Sequence, residues 1–324
     1  MPASSGPGFL VNTRLLQAPQ GGPSRTRLSA TDPTSPAERQ ARYEVTHTRC
    51  SLAYAALFPG LGSLCAGRAT EGSLVLALGL AELGTGLTVG LKDSFGNPGA
   101  VLPLLAFGDL LTAGAIDTTL RLQRAARLPY VPPETLGEAF AAPFRPDVLS
   151  QPLVWGGILG TFALGLVYSE LFEGGLTTRH AFERPNLFGK TVNTLPGMLA
   201  GGGIGVGLFT HVALAEELAF RGMVQSGLAR SKGEEPGMVL GALVFGLFHS
   251  TNALFLPADQ RVDYLVKGVP FITLVGGYLS YVYAKSGYAL SPSIAVHFWY
   301  DFLISAASFA LDPKNSPLSM QLAF

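Results

Sequence analysis

Charged residues are scarce in this 324-residue chain. Only 14% of its residues are Asp, Glu, Lys or Arg, while 48% are hydrophobic. A soluble domain typically has about 25% charged residues. The 22 basic and 22 acidic residues cancel to a net charge of zero, which gives no support to a nucleic-acid partner. The composition therefore indicates a membrane protein surrounded by a lipid bilayer.

Cysteines are few, and the first 50 residues contain no hydrophobic segment. The two cysteines, Cys50 and Cys65, match neither a disulfide framework nor a metal-binding spacing. No apolar run precedes residue 51, so residues 1–50 do not resemble a signal peptide. They are rich in Pro, Ser, Gly and Thr, which predicts a disordered tail. Their excess of arginine over acidic residues favours the cytoplasmic side of the membrane.

Long hydrophobic runs occupy most of the remaining chain. A membrane helix needs roughly 20 apolar residues. The spans predicted by this rule cover residues 74–91, 99–117, 152–169, 193–214, 238–256, 264–284 and 290–311. Residues 51–66 form a shorter run broken by Pro59 and Gly60, so we expect a re-entrant or interfacial piece. Seven spans leave both the tail and the arginine-rich loop after residue 117 in the cytoplasm, as positive-inside charge bias favours.

These runs predict an all-α, polytopic transmembrane helix bundle with about seven to eight membrane segments. We expect four regions along the chain. They are a disordered cytoplasmic tail at 1–50, an N-terminal membrane hairpin at 51–117, a Pro/Arg-rich cytoplasmic linker at 118–150 and a second membrane bundle at 151–324. All the candidate chemistry lies in the second bundle.

Three ionisable residues follow directly after an apolar stretch. They are Glu216, Glu217 and Arg221. A charge inside a membrane segment costs roughly 2.5–3.5 kcal/mol on insertion scales, so such residues usually face a cavity and have a function. Residues four apart share one helix face, which pairs Glu217 with Arg221. Glu216 is offset by about 100° and is free to face a cavity as a general base. The alternative is an ion cluster that ends a helix at the membrane surface.

Two later segments carry histidines. Phe245 and His249 lie one helical turn apart, and so do His297 and Asp301 in the last span. Three helices of a bundle can bring Glu216, His249 and His297 to one point. A water held between Glu216 and His249 would attack an amide, and groups of the last helix would stabilise the oxyanion. The pattern therefore predicts amide hydrolysis within the membrane.

The three motifs resemble a known family. Glu-Glu-x-x-x-Arg at 216–221, Phe-x-x-x-His at 245–249 and His-x-x-x-Asp at 297–301 resemble the signature motifs of the CPBP family. These are the CAAX-prenyl-protease and bacteriocin-processing (Abi) intramembrane glutamic endopeptidases. The likeness covers roughly residues 150–311 and implies a peptide hydrolase.

The resemblance also implies roles for individual residues. The catalytic set would be Glu216, Glu217, Arg221, His249, His297 and Asp301. Glu216 would activate the water with help from His249, with Glu217 and Arg221 supporting the site. His297 and position 301 would form an oxyanion hole. Position 301 is often Asn in the family, and Asp301 can donate to an oxyanion only when protonated. It therefore either carries a proton or orients His297.

One subgroup of the family trims C-terminal sorting signals that consist of a short motif, a membrane helix and basic residues. Myxosortase-type enzymes are an example. The Ala-, Gly-, Arg- and Pro-rich composition suits a high-GC bacterium, so we expect a multi-pass protein of a bacterial inner membrane with a cytoplasmic N-terminus. The expected partner is a membrane-anchored protein or peptide substrate, and no cofactor is expected.

Other functions fit parts of the pattern. A zinc protease would use Glu216, His249 and His297 as ligands, although the chain has no His-Glu-x-x-His pair. A transporter or an immunity protein would use the buried charges without catalysis, but the two related halves common in transporters are absent from the sequence.

Three further ionisable residues lie within the hydrophobic runs. We interpret His211 as a packing residue or a support of the nearby motif. Glu82 and Asp109, in the first two spans, either line a polar path or make an ordinary interhelical contact.

Overall fold

The computed structural model describes residues 53–175, 178, 180–188 and 190–314. The predicted disordered tail lies outside the described residues. Cys65 takes part in a disulfide, which the cysteine spacing did not lead us to expect; Cys50 lies outside the described residues.

The N-terminal part is a short helix followed by a long helical hairpin. Its elements are α1 (Leu61–Cys65), α2 (Ala69–Lys92) and α3 (Pro98–Ala125). Asn97 begins α3 by accepting a hydrogen bond from the Gly99 N–H at 2.8 Å. Gly60 precedes α1 with φ 85°, and a Cβ there would lie 2.4 Å from the Gly72 carbonyl oxygen of α2. Only glycine fits this tight contact between α1 and α2.

The predicted linker is folded against the rest of the protein. It contains α4 (Leu136–Ala141), a 3₁₀ turn (Ala142–Phe144) and α5 (Pro146–Leu149). Thr135 and Glu138 form a reciprocal capping box at the start of α4, and the bond from the Thr135 N–H lowers the pKa of Glu138. Glu134 accepts a 3.0 Å hydrogen bond from the Ser291 N–H. The linker therefore contacts the start of the last membrane helix.

The second part contains the remaining long helices. It begins with α6 (Pro152–Tyr168), extended by a π-helical turn (Ser169–Glu173), and a two-stranded antiparallel ribbon of β1 (Asn186–Leu187) and β2 (Lys190–Thr191). Then follow α7 (Thr194–Glu216), a π-helix (Glu217–Gln225), α8 (Ser226–Lys232), α9 (Glu234–His249) and a 3₁₀ segment (Ser250–Phe255). The last elements are α10 (Arg261–Asp263), a π-helical turn (Tyr264–Gly268), α11 (Val269–Lys285) and α12 (Leu290–Leu311).

Seven helical segments of the described part of the chain are long and apolar enough to cross a membrane. They coincide with the seven predicted spans, and the segment that contains α7 continues to Lys232. Large apolar side chains on these helices, such as Leu74, Leu159 and Leu247, are exposed, as expected for a surface in lipid. Within 53–66, α1 is too short to span. The chain is an integral, multi-pass membrane protein with the predicted all-α fold.

The N-terminal helices and the second bundle share one hydrophobic core. Leu120 of α3, Leu136 of α4, Leu214 of α7 and Phe298 of α12 are all buried in it. The predicted domain boundaries remain predictions. Residues from the predicted hairpin, linker and second bundle all contribute to this one core. The N-terminal hairpin therefore packs directly on the helix that carries the two adjacent glutamates.

We predict that the Gly246→Ala substitution lowers the unfolding temperature in detergent. A Cβ at position 246 would lie 1.8 Å from Thr273 Oγ1 of α11, and overpacking of this kind costs about 1–3 kcal/mol. The matched control is Gly202→Ala on α7, where a Cβ would meet nothing within 4 Å and helix propensity favours alanine. Equal unfolding temperatures for the two variants would contradict the close contact between α9 and α11.

Candidate active site

The two adjacent glutamates lie where an α-helix changes into a π-helix. Glu216 is the last residue of α7, and Glu217 begins the nine-residue π-helix. Such segments are rare and frequently occur at functional sites. The two carboxylates have different surroundings: the Glu217 side chain is fully buried, while that of Glu216 is 24% exposed. This is the separation that the sequence predicts, although the prediction assumed a regular α-helix.

Glu217 is held by a buried ion pair. Its Oε1 lies 3.2 Å from Arg221 Nη1 and 2.9 Å from His297 Nδ1. Arg221 also donates to the Gly276 carbonyl at 3.0 Å and lies over the Phe245 ring at 4.3 Å. The guanidinium is thus fixed by a carboxylate, a carbonyl and an aromatic face. The Glu217 carboxylate is therefore fixed inside the protein, and its side chain is not exposed to solvent.

Glu216 lies between two histidines. Its Oε1 is 3.7 Å from His249 Nε2, and its Oε2 is 3.7 Å from His297 Nε2. These separations exceed hydrogen-bond distance, and polar groups so spaced are commonly bridged by water. Three helices, α7, α9 and α12, therefore present one carboxylate and two imidazoles to a common space.

Hydrogen bonds set the orientation of both imidazoles. His249 Nδ1 lies 2.8 Å from the Phe245 carbonyl oxygen, which accepts only, so Nδ1 carries a proton. His249 Nε2 is left facing Glu216. His297 Nδ1 is likewise protonated, because its partner is the Glu217 carboxylate. Its Nε2 is left facing Glu216.

Asp301 is the sixth residue of the predicted set. It lies one turn after His297 on α12, and its Oδ2 is 3.4 Å from His297 Nε2. The side chain is 22% exposed, similar to Glu216. His297 is thus surrounded by three carboxylates, those of Glu216, Glu217 and Asp301. The structure brings together all six residues named from the sequence.

Two further residues support the site and were not identified from the sequence. Tyr264 donates from its hydroxyl to the His249 carbonyl at 3.0 Å, and Asn252 donates to the Tyr264 hydroxyl at 3.2 Å. They connect the end of α9 to the turn before α11. The only sequence signal was a pair of polar residues in otherwise apolar segments.

His211 contacts the N-terminal hairpin. Its Nε2 lies 3.0 Å from Glu82 Oε1. Glu82 therefore makes an interhelical contact, which is one of the two alternatives that the sequence left open. Among the described residues, no group of three His, Cys, Asp or Glu side chains has the geometry to hold a metal ion.

One comparison with known proteins gave a match. Residues 202–303 match the family model described as type II CAAX prenyl endopeptidase Rce1-like. The match supports the resemblance to the CPBP family that the sequence motifs indicate. The matched interval includes all six site residues, and the match supports a CAAX-type membrane protease. No curated protein and no solved structure matched the chain.

Removal of Arg221 from this candidate site is predicted to destabilise the fold. Arg221→Gln leaves Glu217 as a buried carboxylate without its cation, which typically costs about 3–5 kcal/mol. The control Arg145→Gln breaks an ion pair with Asp147 at the protein surface, which contributes at most about 1 kcal/mol. Unfolding in detergent measures both changes. Similar small losses in the two variants would contradict the anchoring role.

Proposed function

We propose that this protein is an intramembrane endopeptidase that cleaves a membrane-associated protein with a water activated by Glu216. The observation that carries the proposal is that two adjacent glutamates have different surroundings. Glu217 is locked by Arg221 and His297, whereas Glu216 faces the shared space with His249 and His297. Two carboxylates held in unlike environments are a recurrent arrangement for acid–base catalysis.

The proposed reaction is direct attack of water on the scissile amide. Glu216 takes one proton from the water while the hydroxide oxygen bonds to the carbonyl carbon. His249 Nε2, kept facing Glu216 by the bond of Nδ1 to the Phe245 carbonyl, positions the water. The carbon–nitrogen bond then breaks, and the proton held by Glu216 passes to the leaving nitrogen.

His297 is proposed to stabilise the oxyanion. Its Nδ1 proton is committed to Glu217, so only Nε2 can donate to a developing negative charge. Asp301 Oδ2 lies 3.4 Å from the same nitrogen and favours a proton there. We therefore assign Asp301 the role of orienting and charging His297, which needs no proton on Asp301 itself.

The proposed substrate is a protein with a C-terminal sorting signal, as for the myxosortase type. The membrane helix of such a signal would lie in the bilayer beside the membrane-spanning helices that carry the site. Its basic residues would lie at the membrane surface. Arg121 and Arg124 lie in the last turns of α3, and Arg127 and Arg145 follow before α6. This excess of arginine supports a cytoplasmic position for that end of α3 and for the linker. The proposed topology has a cytoplasmic N-terminus, and the proposed location is a bacterial inner membrane.

We predict that Glu216→Gln abolishes processing without unfolding the protein. The amide keeps the shape of the side chain but cannot accept the water proton, so turnover should fall by about 10²–10⁴-fold. Membrane proteomes of cells expressing the wild type or the variant identify the precursor that accumulates. The control is Glu234→Gln at the exposed start of α9, with normal processing expected.

Two results would count against this function. Normal processing by Glu216→Gln would exclude Glu216 as the base and favour a non-catalytic role. Inhibition by phenanthroline that added zinc reverses would instead favour the zinc protease with Glu216, His249 and His297 as ligands.

A second prediction concerns Asp301. Asp301→Asn keeps an oxygen that can accept a hydrogen bond from His297, so its activity should stay within about tenfold of wild type. Asp301→Ala loses this contact, and its activity should fall by about 10–100-fold. Cleavage of the accumulated precursor by purified protein measures both. Equal loss in the two variants would contradict the orienting role.

A further inference from the structure

A polar cavity lies between the linker and the start of the last membrane helix. Its volume is about 350 Å³, which is within the size range of ligand sites in proteins. Residues of the linker and residues 286–292, around the turn from α11 to α12, line it together. The charged residues of this lining are Glu134, Glu138, Arg145 and Asp147.

The charges of the cavity lining do not balance. Arg145 is already paired, because its Nε and Nη2 donate to the two carboxylate oxygens of Asp147 at 3.1 and 2.6 Å. Glu138 and Glu134 accept hydrogen bonds from uncharged backbone N–H groups, at 2.9 and 3.0 Å. Neither glutamate forms an ion pair within the described part of the chain. The cavity therefore presents two carboxylates that have no cation of their own.

Two buried polar atoms of the lining have no hydrogen-bond partner among the described residues. They are Glu134 Oε2 and Ser291 Oγ. Ser291 is only 4% exposed, and buried polar groups are nearly always hydrogen-bonded in folded proteins. Both atoms can accept a hydrogen bond. A ligand with several N–H donors would satisfy them.

These features together favour an organic cation over a metal ion. Among the described residues, no group of three His, Cys, Asp or Glu side chains could hold a metal. An arginine guanidinium has a permanent positive charge and five N–H donors in a planar fork that fits carboxylates. It matches the two carboxylates and the free hydroxyl of this cavity.

The first turns of α12 connect the cavity to the candidate active site. Ser291 precedes His297 by six residues, or about 9 Å along the helix axis. An extended peptide spans about 3.3 Å per residue, so a side chain a few residues from the cleaved bond would reach the cavity. The linker is on the proposed cytoplasmic side, where membrane helices are commonly flanked by Lys and Arg. A membrane-anchored substrate therefore carries the required cation at this face.

We propose that this cavity binds an arginine side chain of the membrane-protein substrate, on the cytoplasmic side of the cleaved bond. Glu134 and Glu138 pair with the guanidinium, and the Ser291 hydroxyl accepts one of its N–H groups. These residues recognise the substrate and take no part in the chemistry at Glu216. The identity of the molecule that carries the arginine rests on the proposed function.

Binding is tested with a synthetic membrane peptide. The probe has 20 leucine and alanine residues, two C-terminal arginines and a dansyl group, and the matched peptide has two glutamines instead. Full-length protein is placed in phosphatidylcholine nanodiscs, and energy transfer from its two tryptophans to dansyl reports binding. The arginine peptide should bind about tenfold more tightly than the glutamine peptide.

The decisive variant carries Glu134→Gln and Glu138→Gln together. Glutamine keeps an oxygen that accepts the same backbone N–H bonds and is itself a capping-box residue, so the unfolding temperature should stay near that of wild type. Affinity for the arginine peptide should fall about tenfold, and affinity for the glutamine peptide should not change. Unchanged affinity for the arginine peptide would overturn the proposal.

The matched control carries Glu234→Gln and Glu235→Gln. It removes the same charge from the exposed first turn of α9, on the same proposed side of the membrane but outside the cavity lining. Its affinity for the arginine peptide should equal that of wild type. An equal loss in this control would show a diffuse attraction to the surface and would also overturn the proposal.

The cation site and the protease fail separately. Loss of processing in Glu216→Gln, together with equal binding of the two peptides, would remove the cation site and leave the protease. Selective binding of the arginine peptide, lost in Glu134→Gln with Glu138→Gln, beside normal processing by Glu216→Gln would do the reverse.

Discussion

The buried ion pair between Glu217 and Arg221 is the constraint on which the candidate active site depends. Their charges can remain in a membrane-embedded core only because each has the other as a partner. Arg221 is in turn fixed by the Gly276 carbonyl and the Phe245 ring, and Glu217 holds His297. The pair therefore connects α7, α9, α11 and α12 at one point and sets where Glu216 stands.

Local sequence periodicity was sufficient to predict the spans and the convergence of the motifs. Residues four apart, such as Glu217 and Arg221 or His297 and Asp301, are neighbours on an α-helix, and this expectation needs no knowledge of other segments. Hydrophobic length likewise located the seven spans. These features depend on residues close in sequence, which is why they could be predicted without a structure.

Features that depend on contacts between distant segments could not be predicted in this way. The π-helix that begins at Glu217 departs from the regular α-helix that the motif spacing assumed. Tyr264 reaches the His249 carbonyl across a connecting segment, and Glu82 meets His211 across 129 positions of sequence. The prolines of residues 118–150 led us to expect a cytoplasmic linker, and its packing was not predicted: Leu136 is buried in the shared core.

The central claim is that two adjacent acids have different tasks, Glu217 in holding the fold and Glu216 in chemistry. The most direct test measures unfolding temperature and precursor cleavage for Glu216→Gln and Glu217→Gln side by side. Glu216→Gln should be inactive with near-normal stability. Glu217→Gln should be strongly destabilised because Arg221 is left buried without its counter-charge. A stable Glu217→Gln variant beside a destabilised Glu216→Gln variant would contradict this claim.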